Sequence, residues 1–393
     1  MKIYHFILDD SKFLLHAKNF FDHPDCVNHW QRVSYDPVEL GKGEVPSAHS
    51  SEGVLSCIEL SHDKGIQQIG PHVLLCDVVL IHFLVPWFGP FLREVSKHLP
   101  VVVQFWGGDF MPDLASDSQI YLEKTLARNR KQHTFPRLPS RLGKLKRFIA
   151  KFTKPKQINL ATAMNACTSF MTILPGEKSF FPSNVQHKHA GDVRVVYGEF
   201  HDKSKPQIEN RSKEKFTVLV GNSATPTNNH IDLLDDLNSL EKELTSIILP
   251  LSYGDTAYGD FIEATFKSHF PKTCIVLRGM MGAQEYDQLI DSADVFVMGQ
   301  LRQQGLGNIL SALNKGKTVY LHPDGVNFRY FINAGFKVKS TSELKRGIQE
   351  INQSEAEHNA TLVQSLWAIP EARSKVMKVL RSAINAHHSD LVE

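Results

Sequence analysis

Two loops rich in glycine and polar residues are the part of the chain best suited to bind an anion. Residues 301–308 read LRQQGLGN, between a strand-like run and a helix-like run. Glycines let the backbone approach a ligand, free amides at a helix start favour negative charge, and Arg302 adds a planar cation suited to phosphate oxygens. A second such loop, Gly221-Asn222-Ser223, ends a strand about eighty residues earlier. Together they predict a nucleotide diphosphate site.

Two common phosphate-binding motifs are absent from the sequence. It contains no G-x-G-x-x-G and no complete G-x-x-x-x-G-K-[ST]. The first pattern is typical of dinucleotide-binding enzymes and the second of P-loop proteins. A redox enzyme using a dinucleotide is therefore not the expected class.

The composition is that of an ordinary globular protein. The chain has 393 residues, 42% hydrophobic and 22% charged, with a net charge of +2. This length suits two domains, each with its own core, and the near-neutral charge argues against a general nucleic-acid binder. Five cysteines are scattered without C-x-x-C spacing, which fits a reducing compartment and predicts no zinc site.

The apolar segments indicate strands rather than membrane helices or export signals. The N-terminal run is too short for a signal peptide and reads as a first strand. Residues 73–92 are the most apolar stretch, but Asp77, His82 and two prolines interrupt it. A buried strand followed by a turn is expected there, because a membrane span needs about twenty apolar residues. We expect a cytoplasmic protein.

Strand-like and helix-like runs alternate along both halves of the chain. In the first half, strands are predicted at residues 3–8, 78–84, 101–105, 167–173 and 193–197. In the second half, they are predicted at residues 216–220, 246–249, 274–277, 295–298 and 318–321. Helices are predicted at residues 231–244 and 283–292. This alternation predicts parallel sheets covered on both faces.

A polar stretch divides the chain into the expected domains. Residues 201–215 read HDKSKPQIENRSKEK and form a predicted linker between domains at 1–200 and 216–370. Residues 371–393 are expected to form a helix that can cross back to the first domain. Ligands of such folds usually bind at the carboxyl ends of the strands, in a cleft that the two domains enclose.

A basic segment without acidic residues lies in the first half. No Asp or Glu occurs from Lys124 to Lys156, and apolar side chains recur on one helical face between Leu142 and Phe152. Such a helix suits an anionic membrane surface, and the predicted contacts are Lys144, Lys146, Arg147, Phe148 and Lys151. The alternative is a solvated basic helix packed on its own domain. RNA binding is a further alternative, although no recognisable module is present.

Several short motifs resemble a known enzyme family. They are Val220-Gly221-Asn222-Ser223, Asn228-Asn229-His230, Pro250-Leu251-Ser252-Tyr253, Tyr286 with Asp294, Arg302-Gln303-Gln304-Gly305-Leu306-Gly307, and in the first half Asp10 and Trp106-Gly107-Gly108-Asp109. The chain resembles the N-acetylfucosaminyltransferases of glycosyltransferase family 56, which extend the lipid-linked trisaccharide of enterobacterial common antigen. The resemblance is closest from residue 195 to residue 316.

The resemblance implies a fold, a reaction and its partners. It implies a GT-B fold, in which two Rossmann-like domains with parallel sheets face each other across a cleft. It also implies an inverting, metal-independent hexosyl transfer from a dTDP-sugar, with no cofactor. The implied acceptor is a polyprenyl-diphosphate-linked glycan, and the protein would be peripheral on the inner face of the bacterial inner membrane. The longer N-terminal half is a departure from the family.

The predicted donor-binding residues all follow strands of the second half. Arg302 is assigned to the diphosphate, rather than being a surface arginine, and Gly305, Gly307 and Asn308 would supply backbone amides. The remaining members are Gly221, Asn222, Ser223, Asn228, His230, Ser252, Tyr253, Gln303 and Gln304. Ordinary structural roles are open for several of them: helix capping for the Asn, Ser and Gln side chains, a helix-face position for His230, and core packing for Tyr253.

The catalytic base is expected in the first domain, since that half holds the acceptor in a GT-B enzyme. Asp109 follows a strand through Trp106-Gly107-Gly108, and a carboxylate there could take the acceptor proton. Its alternative role is a helix N-cap. Asp10 is the second candidate, and His82 the third, although a core histidine is the commoner reading for that position.

Two rival functions stay open at the level of sequence. One is a GT-B transferase with another nucleotide-sugar and a lipopolysaccharide or soluble acceptor. The other is a two-lobed sugar-binding protein without catalysis. The sequence does not predict the oligomeric state.

Overall fold

The chain folds into two compact units, each assembled from separated stretches of sequence. The first comprises Met1–Ala115, Pro136–Glu199 and Ile369–Glu393, and the second comprises Ser116–Phe135 and Phe200–Ala368. The computed structural model describes residues 1–8, 11–34, 54–56, 72–84, 89–108, 114–134, 160–198 and 215–390.

Helices and strands alternate through the described residues. The strands are β1 (Lys2–Leu8), β2 (Val27–Ser34), β3 (Val54–Ser56), β4 (Val78–Ile81), β5 (Val101–Phe105), β6 (Ser169–Thr172), β7 (Phe216–Val220), β8 (Leu244–Pro250), β9 (Cys274–Leu277), β10 (Val295–Met298), β11 (Thr318–Leu321) and β12 (Lys339–Ser340). The helices are α1 (Ser11–Phe21), α2 (Gly89–Val95), α3 (Asp117–Ile120), α4 (Glu123–Thr134), α5 (Leu160–Asn165), α6 (His230–Ser239), α7 (Thr256–His269), α8 (Ala283–Ser292), α9 (Leu306–Asn314), α10 (Val326–Asn333), α11 (Gln353–Leu366) and α12 (Ile369–Asp390).

Each unit is built on a six-stranded sheet in which all paired strands are parallel. The first sheet has the order β3-β2-β1-β4-β5-β6, and the second has the order β12-β11-β10-β7-β8-β9. In each sheet the first strand of the unit, β1 or β7, lies between two later strands. The strands that follow are added first on one side of this strand and then on its other side. This reversal creates a switch point beside β1 and beside β7, where ligands of such sheets bind.

The central strands are apolar along their whole length because both faces of each sheet are covered. Every residue of β4, β5, β10 and β11 is buried. Helix faces complete the core of the second unit, where Leu237 of α6 and Phe266 of α7 join Val218 of β7. Continuous apolar runs of this kind are typical of parallel sheets. The predicted mixed α/β class with two parallel sheets is confirmed.

Two stretches of chain lie in the unit that does not contain their sequence neighbours. Residues 116–135, placed in the first domain by the sequence prediction, are part of the second unit. Helix α12 is part of the first unit: Arg373 donates to the carbonyl oxygens of Phe20 (2.5 Å) and Asn19 (3.1 Å), and Arg381 forms an ion pair with Asp25 (3.3 Å). The predicted linker lies outside the described residues except for its last residue, Lys215.

One predicted strand is wrong. Residues 193–197 form no strand, because Oε1 of Gln104 accepts the hydrogen bond of the Val195 backbone amide (2.8 Å) that a neighbouring strand would otherwise take. Among the helices that the structure describes, none is long and apolar enough to cross a membrane.

Candidate functional site

The two loops singled out in the sequence lie at the carboxyl edge of the second sheet, on either side of its switch point. Strand β7 pairs with β10, and the loops follow these two neighbouring strands. The backbone amide of Gly221 donates to the carbonyl oxygen of Val297 (3.0 Å), which ties the first loop to β10. Sequence-distant loops are therefore brought to one edge, where the fold favours ligand binding.

Gly221 occupies a position that only glycine fits. Its φ is 69°, and a Cβ atom built there would lie 2.5 Å from Nε2 of His230. The His230 ring is fully buried and hydrogen bonded through Nδ1 to the Tyr258 hydroxyl (3.2 Å). Burial lowers the pKa of His230 to about 3, against a smaller opposing effect of the Val220 backbone. The neutral ring packs against the loop at Gly221. Contact of His230 with a ligand stays a prediction.

Asn228 is the buried hub of the first loop. Its Oδ1 accepts hydrogen bonds from the backbone amide of Asn222 (3.0 Å) and from Nε2 of Gln300 (2.7 Å). Its Nδ2 donates to the carbonyl oxygen of Ser223 (2.9 Å). Asn228 and Ser223 are completely buried. These polar groups are satisfied inside the protein, so they fix the backbone of the loop rather than face solvent.

Gln304 joins the two loops. Its Nε2 donates to Oδ1 of Asn222 (3.0 Å) and to the Thr225 hydroxyl (2.9 Å), while its Oε1 accepts from the Thr227 hydroxyl (2.6 Å). The carbonyl oxygen of Gln304 accepts from Nδ2 of Asn327 (2.9 Å). Both carbonyl and amide of this side chain are therefore engaged. The hydrogen bonds of Gln304 therefore hold the two loops at a fixed distance from each other.

A second set of side chains at this edge is partly exposed. Arg302 donates from Nη1 to the carbonyl oxygen of Gln303 (3.0 Å), and Gln303 itself is mostly buried. Nδ2 of Asn222 donates to the hydroxyl of Tyr253, whose side chain is 54% exposed. Ser252 hydrogen bonds weakly to the carbonyl oxygen of Leu277 (3.4 Å). Arg302, Tyr253 and their neighbours are thus the groups at this edge that a ligand can reach.

Electrostatic effects place a positive charge among several phenols. Loss of hydration raises the pKa of Tyr121 and of the half-exposed Tyr253, and the Arg302 guanidinium opposes the rise in both. Burial also raises the pKa of Tyr286 to about 12, while a hydrogen bond from Asn308 opposes that rise. The charge of Arg302 therefore acts on two neutral phenols, an arrangement that suits an anion.

Helix α9 begins at the second loop. Gly305 is its N-cap, with φ 65°, and the first turn has no acidic residue. A Cβ atom built at Gly307 would meet nothing within 4 Å, so open space lies beside this turn. Free amides and the positive end of the helix dipole favour an anion at such a point. Asn308 lies on the same turn.

Three polar residues of the site were missed by the sequence prediction. Gln300, Thr225 and Thr227 make the side-chain contacts that link the loops. The only sequence signal is Gln300 itself, a polar residue directly after β10 and Gly299. Threonines in a turn are too common to signal a site.

Asn229, named in the sequence analysis only as part of a motif, has a left-handed backbone, with φ 55°. It is completely buried, donates from Nδ2 to the carbonyl oxygen of Gly299 (2.9 Å), and accepts at Oδ1 from the amide of Leu122 (2.9 Å). Asn229 therefore fastens the chain around Tyr121 to the end of β10. Asn is one of the few residues that adopt this conformation readily.

The start of the basic segment packs within the second unit. Thr125 donates from its hydroxyl to Oδ2 of Asp232 (2.6 Å), and Lys124 forms an ion pair with Asp235 (2.5 Å). The Arg128 guanidinium lies over the rings of Tyr258 (5.0 Å) and Phe261 (4.3 Å). This part of the basic run is engaged within the protein, as in the packed-helix alternative.

The catalytic and membrane predictions fall on residues without a described position. Asp10, Asp109, Lys144, Lys146, Arg147, Phe148 and Lys151 lie outside the described residues. His82 lies within the described residues. It is fully buried, and its two ring nitrogens form hydrogen bonds with His5 and Tyr197. Among the described residues, no group of three or more His, Cys, Asp or Glu side chains could hold a metal ion.

Comparison with known proteins supports the resemblance seen in the sequence. Residues 170–324 match the family model described as 4-alpha-L-fucosyltransferase glycosyl transferase group 56. This range contains every predicted donor-binding residue. No curated protein matches the sequence.

Solved structures show the same fold at low sequence identity. The HepE protein of Anabaena, in complex with UDP and glucose, has a TM-score of 0.57 at 12% identity over 97% of this chain and 100% of that one. A UDP-forming α,α-trehalose-phosphate synthase from Burkholderia xenovorans has a TM-score of 0.59 at 9% identity over 98% and 99%. The lipopolysaccharide outer core galactosyltransferase WaaB has 0.54 at 10% identity over 96% and 98%. The GT-B fold is confirmed, and with the family match it identifies a transferase.

Proposed function

We propose that the protein is an inverting, metal-independent glycosyltransferase that moves an N-acetylated deoxysugar, such as N-acetylfucosamine, from a dTDP-sugar to a polyprenyl-diphosphate-linked glycan. One observation carries most of this proposal. The loops after β7 and β10 meet at the switch point of a parallel sheet, with Arg302 and the open first turn of α9 beside them. The residues concerned lie within the range that matches the glycosyltransferase family model.

The chemistry requires a leaving diphosphate to be stabilised as negative charge develops on it. In direct displacement, an acceptor hydroxyl oxygen bonds to the anomeric carbon while the bond from that carbon to the diphosphate oxygen breaks. Arg302 and the first amides of α9 are suited to the departing charge, since fixed donors need no reorganisation during the reaction. The hydroxyl proton passes to a carboxylate, and Asp109 or Asp10 is proposed for this role.

The proposed acceptor requires the protein to work at a membrane surface. Residues 141–152 read RLGKLKRFIAKF, in which basic and apolar side chains alternate with helical spacing. Such a helix can insert its apolar face at the level of anionic headgroups. We propose that this segment holds the enzyme on the inner face of the inner membrane during surface polysaccharide synthesis, with enterobacterial common antigen as the candidate product.

A second transferase function differs in donor and acceptor. The HepE structure contains UDP and glucose, and WaaB is a lipopolysaccharide outer core galactosyltransferase. A UDP-sugar donor with a lipopolysaccharide or soluble acceptor is therefore the alternative to be tested.

The donor is tested by thermal unfolding of the full chain with dTDP, UDP, GDP and ADP and with their sugars. A ligand that binds only the native state raises the apparent stability by about 2.7 kcal/mol at a hundred times its Kd. The proposal expects dTDP and a dTDP-linked N-acetylated deoxysugar to give the largest shifts. Largest shifts with UDP compounds would support the alternative, and no shift with any nucleotide would contradict both.

The membrane role is tested by sedimentation with vesicles of phosphatidylglycerol and phosphatidylethanolamine. The change is Lys144, Lys146 and Arg147 to Gln together. The expected result is a loss of about 3 kcal/mol of vesicle affinity, since each basic residue at an anionic surface contributes about 1 kcal/mol. The control replaces the exposed Lys242, Lys272 and Lys378 by Gln. Equal binding by the two triple variants would contradict the role.

A further inference from the structure

A chain of hydrogen bonds, buried at its central pair of histidines, runs through the first unit to its carboxyl edge. Nδ2 of Asn28 donates to the carbonyl oxygen of Phe21 (2.9 Å), and Oδ1 of Asn28 lies 3.0 Å from Nε2 of His5. Nδ1 of His5 lies 2.9 Å from Nε2 of His82. Nδ1 of His82 lies 2.6 Å from the Tyr197 hydroxyl. The donor site in the second unit makes no use of these groups.

The direction of each bond follows from the end of the chain at Phe21. A carbonyl oxygen only accepts, so the amide nitrogen of Asn28 faces Phe21 and its oxygen faces His5. His5 must therefore donate from Nε2. Both histidines are fully buried, and burial lowers the pKa of His5 to about 3 and that of His82 well below its usual value. Both rings are neutral, and each carries a single proton.

One arrangement of protons satisfies these constraints. With its proton on Nε2, His5 accepts at Nδ1, so His82 donates from Nε2. His82 then accepts at Nδ1, and the donor of that last bond is the Tyr197 hydroxyl. The proton of Tyr197 is thus committed inward, and its oxygen can act toward any further ligand only as an acceptor. Hydrogen bonds in such a chain also polarise one another.

Aromatic rings surround the Tyr197 end of the chain. The Trp106 ring lies 4.8 Å from that of Tyr197, and Phe13 and Phe83 lie 4.3 Å and 5.6 Å from Trp106. All four side chains are only partly buried. His82 and Trp106 directly follow β4 and β5, and Phe13 lies in the first turn of α1. The cluster therefore sits at the carboxyl edge, where ligands of parallel sheets bind.

We propose that the Tyr197 hydroxyl oxygen is a hydrogen-bond acceptor for a hydroxyl group of a sugar bound among Phe13, Phe83 and Trp106, and that Asn28, His5 and His82 hold it in that role. Apolar walls with one oriented polar group are the usual composition of small-molecule sites. Aromatic faces suit the apolar face of a pyranose ring, and an acceptor oxygen selects a hydroxyl donor. The assignment of this sugar as part of the acceptor glycan rests on the proposed function.

The proton arrangement is tested first, in the unaltered protein. Nitrogen NMR of the full chain with ¹⁵N-labelled histidine distinguishes a protonated ring nitrogen from a bare one. The expected result is Nε2–H with bare Nδ1 for both His5 and His82. A proton on Nδ1 of His82 would overturn the proposal, because the Tyr197 oxygen would then accept from His82 and its own proton would point away from that ring.

Sugar binding is tested by titrating the same sample with methyl glycosides of hexoses and N-acetylhexosamines. A sugar hydroxyl that donates to Tyr197 should shift the Nδ1 resonance of His82 in a saturable way, and tetrahydropyran, a ring without hydroxyls, should not. Tyr197→Phe should weaken glycoside binding about tenfold, the order expected for one hydrogen bond. Tyr330→Phe, the same change on α10 of the second unit, is the control. Equal glycoside affinity in Tyr197→Phe and the control would overturn the proposal.

The result is separable from that of the proposed function. Nucleotide stabilisation without any effect of glycosides on His82 would leave the transferase proposal standing and overturn this one. A glycoside effect on His82 without nucleotide stabilisation would support sugar binding at Tyr197 and contradict the transferase proposal. If Tyr197→Phe fails to fold, the tautomer measurement and the comparison of glycosides with tetrahydropyran still decide, since neither needs a variant.

Discussion

The carboxyl edges of the two sheets share an architecture and differ in chemistry. Both have six parallel strands with a switch point beside the first strand of the unit. The edge of the second sheet carries glycine loops, amide side chains and Arg302, whereas the edge of the first carries aromatic rings and a buried pair of histidines. One edge suits a charged diphosphate and the other a neutral ring with hydroxyls. The fold supplies the location, and the loops supply the selectivity.

Both edges are nonetheless built in two layers. Buried polar groups such as Asn228 and Gln304 set the loop geometry in the second unit, and His5 and His82 orient one hydroxyl in the first. The partly exposed groups Arg302 and Tyr197 form the outer layer of the second and the first unit, respectively. The comparison predicts that changes in the outer layer alter binding, while changes in the buried layer alter stability as well.

The largest expected effect comes from removing the cation of the second edge. Arg302→Ala should lower kcat/KM for the nucleotide-sugar about 10²- to 10³-fold, the range seen when one group that stabilises transition-state charge is removed. Thermal stability should change little. The control is Arg329→Ala, which removes an exposed arginine of α10. Similar kinetics in the two variants would show that the anion-binding character of this edge has another source.

Substitutions at two glycines of the second edge test the buried layer and the outer layer separately. Gly221→Ala should cost about 2–4 kcal/mol of unfolding free energy, because a left-handed backbone and the His230 ring both oppose a Cβ atom. Gly307→Ala meets no neighbour. It should keep the Tm and weaken nucleotide binding about tenfold, or about 1.4 kcal/mol. Unfolding scans and calorimetric titration check both, and a stable, fully active Gly221→Ala would contradict the two-layer description.

Acid should destabilise the first unit more steeply than the second. The pKa of His5 and of His230 is about 3, and that of His82 is also strongly lowered, all by burial. Burial also lowers the pKa of His189 in the first unit and of His322 in the second. The first unit therefore has three such histidines and the second has two. Unfolded histidine binds a proton below about pH 6.5, so stability is complete above that pH and falls as the pH drops toward the folded pKa. The loss is about 1.4 kcal/mol per pH unit per buried neutral histidine.

The pH effect is measured by hydrogen exchange at pH 5, 6 and 7, corrected for the intrinsic exchange rates. Amides of β1 and β4 report on the first unit, and those of β7 and β10 on the second. The control is His98→Gln, a change at an exposed histidine. Equal slopes in the two units would contradict the difference in buried histidines.

The smallest expected effect concerns a hydroxyl of the outer layer. Tyr253→Phe removes the acceptor of the Asn222 side-chain amide (2.7 Å) on a residue that is about half exposed. Solvent can replace that bond, so the free energy of unfolding should fall by less than about 1 kcal/mol. Nucleotide affinity should fall about fivefold, because Asn222 then loses its orientation. Calorimetry that finds unchanged affinity would place Tyr253 outside the site.

Elements with long apolar runs were readable from the sequence, and those without were not. Strands β5, β7, β9, β10 and β11 have the predicted bounds, since their side chains are almost all apolar. Strand β2, with the sequence VNHWQRVS, was missed because its alternating polar residues resemble a loop. Its pairing with β1 supplies the order that the sequence pattern does not show.

The site was predictable only where local chemistry was sufficient. The glycine loops and Arg302 are visible in short windows of sequence. The bond from Gln300 to Asn228 joins residues 72 apart, and the contact of Thr125 with Asp232 joins residues 107 apart. Such contacts depend on the sheet order and on the packing of α4, which no local pattern specifies. Asn229 was visible as part of a motif, but its left-handed backbone and its contact with Leu122 were not.

The interleaving of the two units bears on how the protein matures. The polypeptide passes from one unit to the other at four points, near residues 115, 135, 199 and 368. The last helix, whose Arg373 holds the end of α1, is the final piece of the first unit to be synthesised. The first unit can therefore close only after residues 369–390 have been synthesised. Cutting the protein at residues 201–215 should yield two incomplete fragments, which can regain structure only by association.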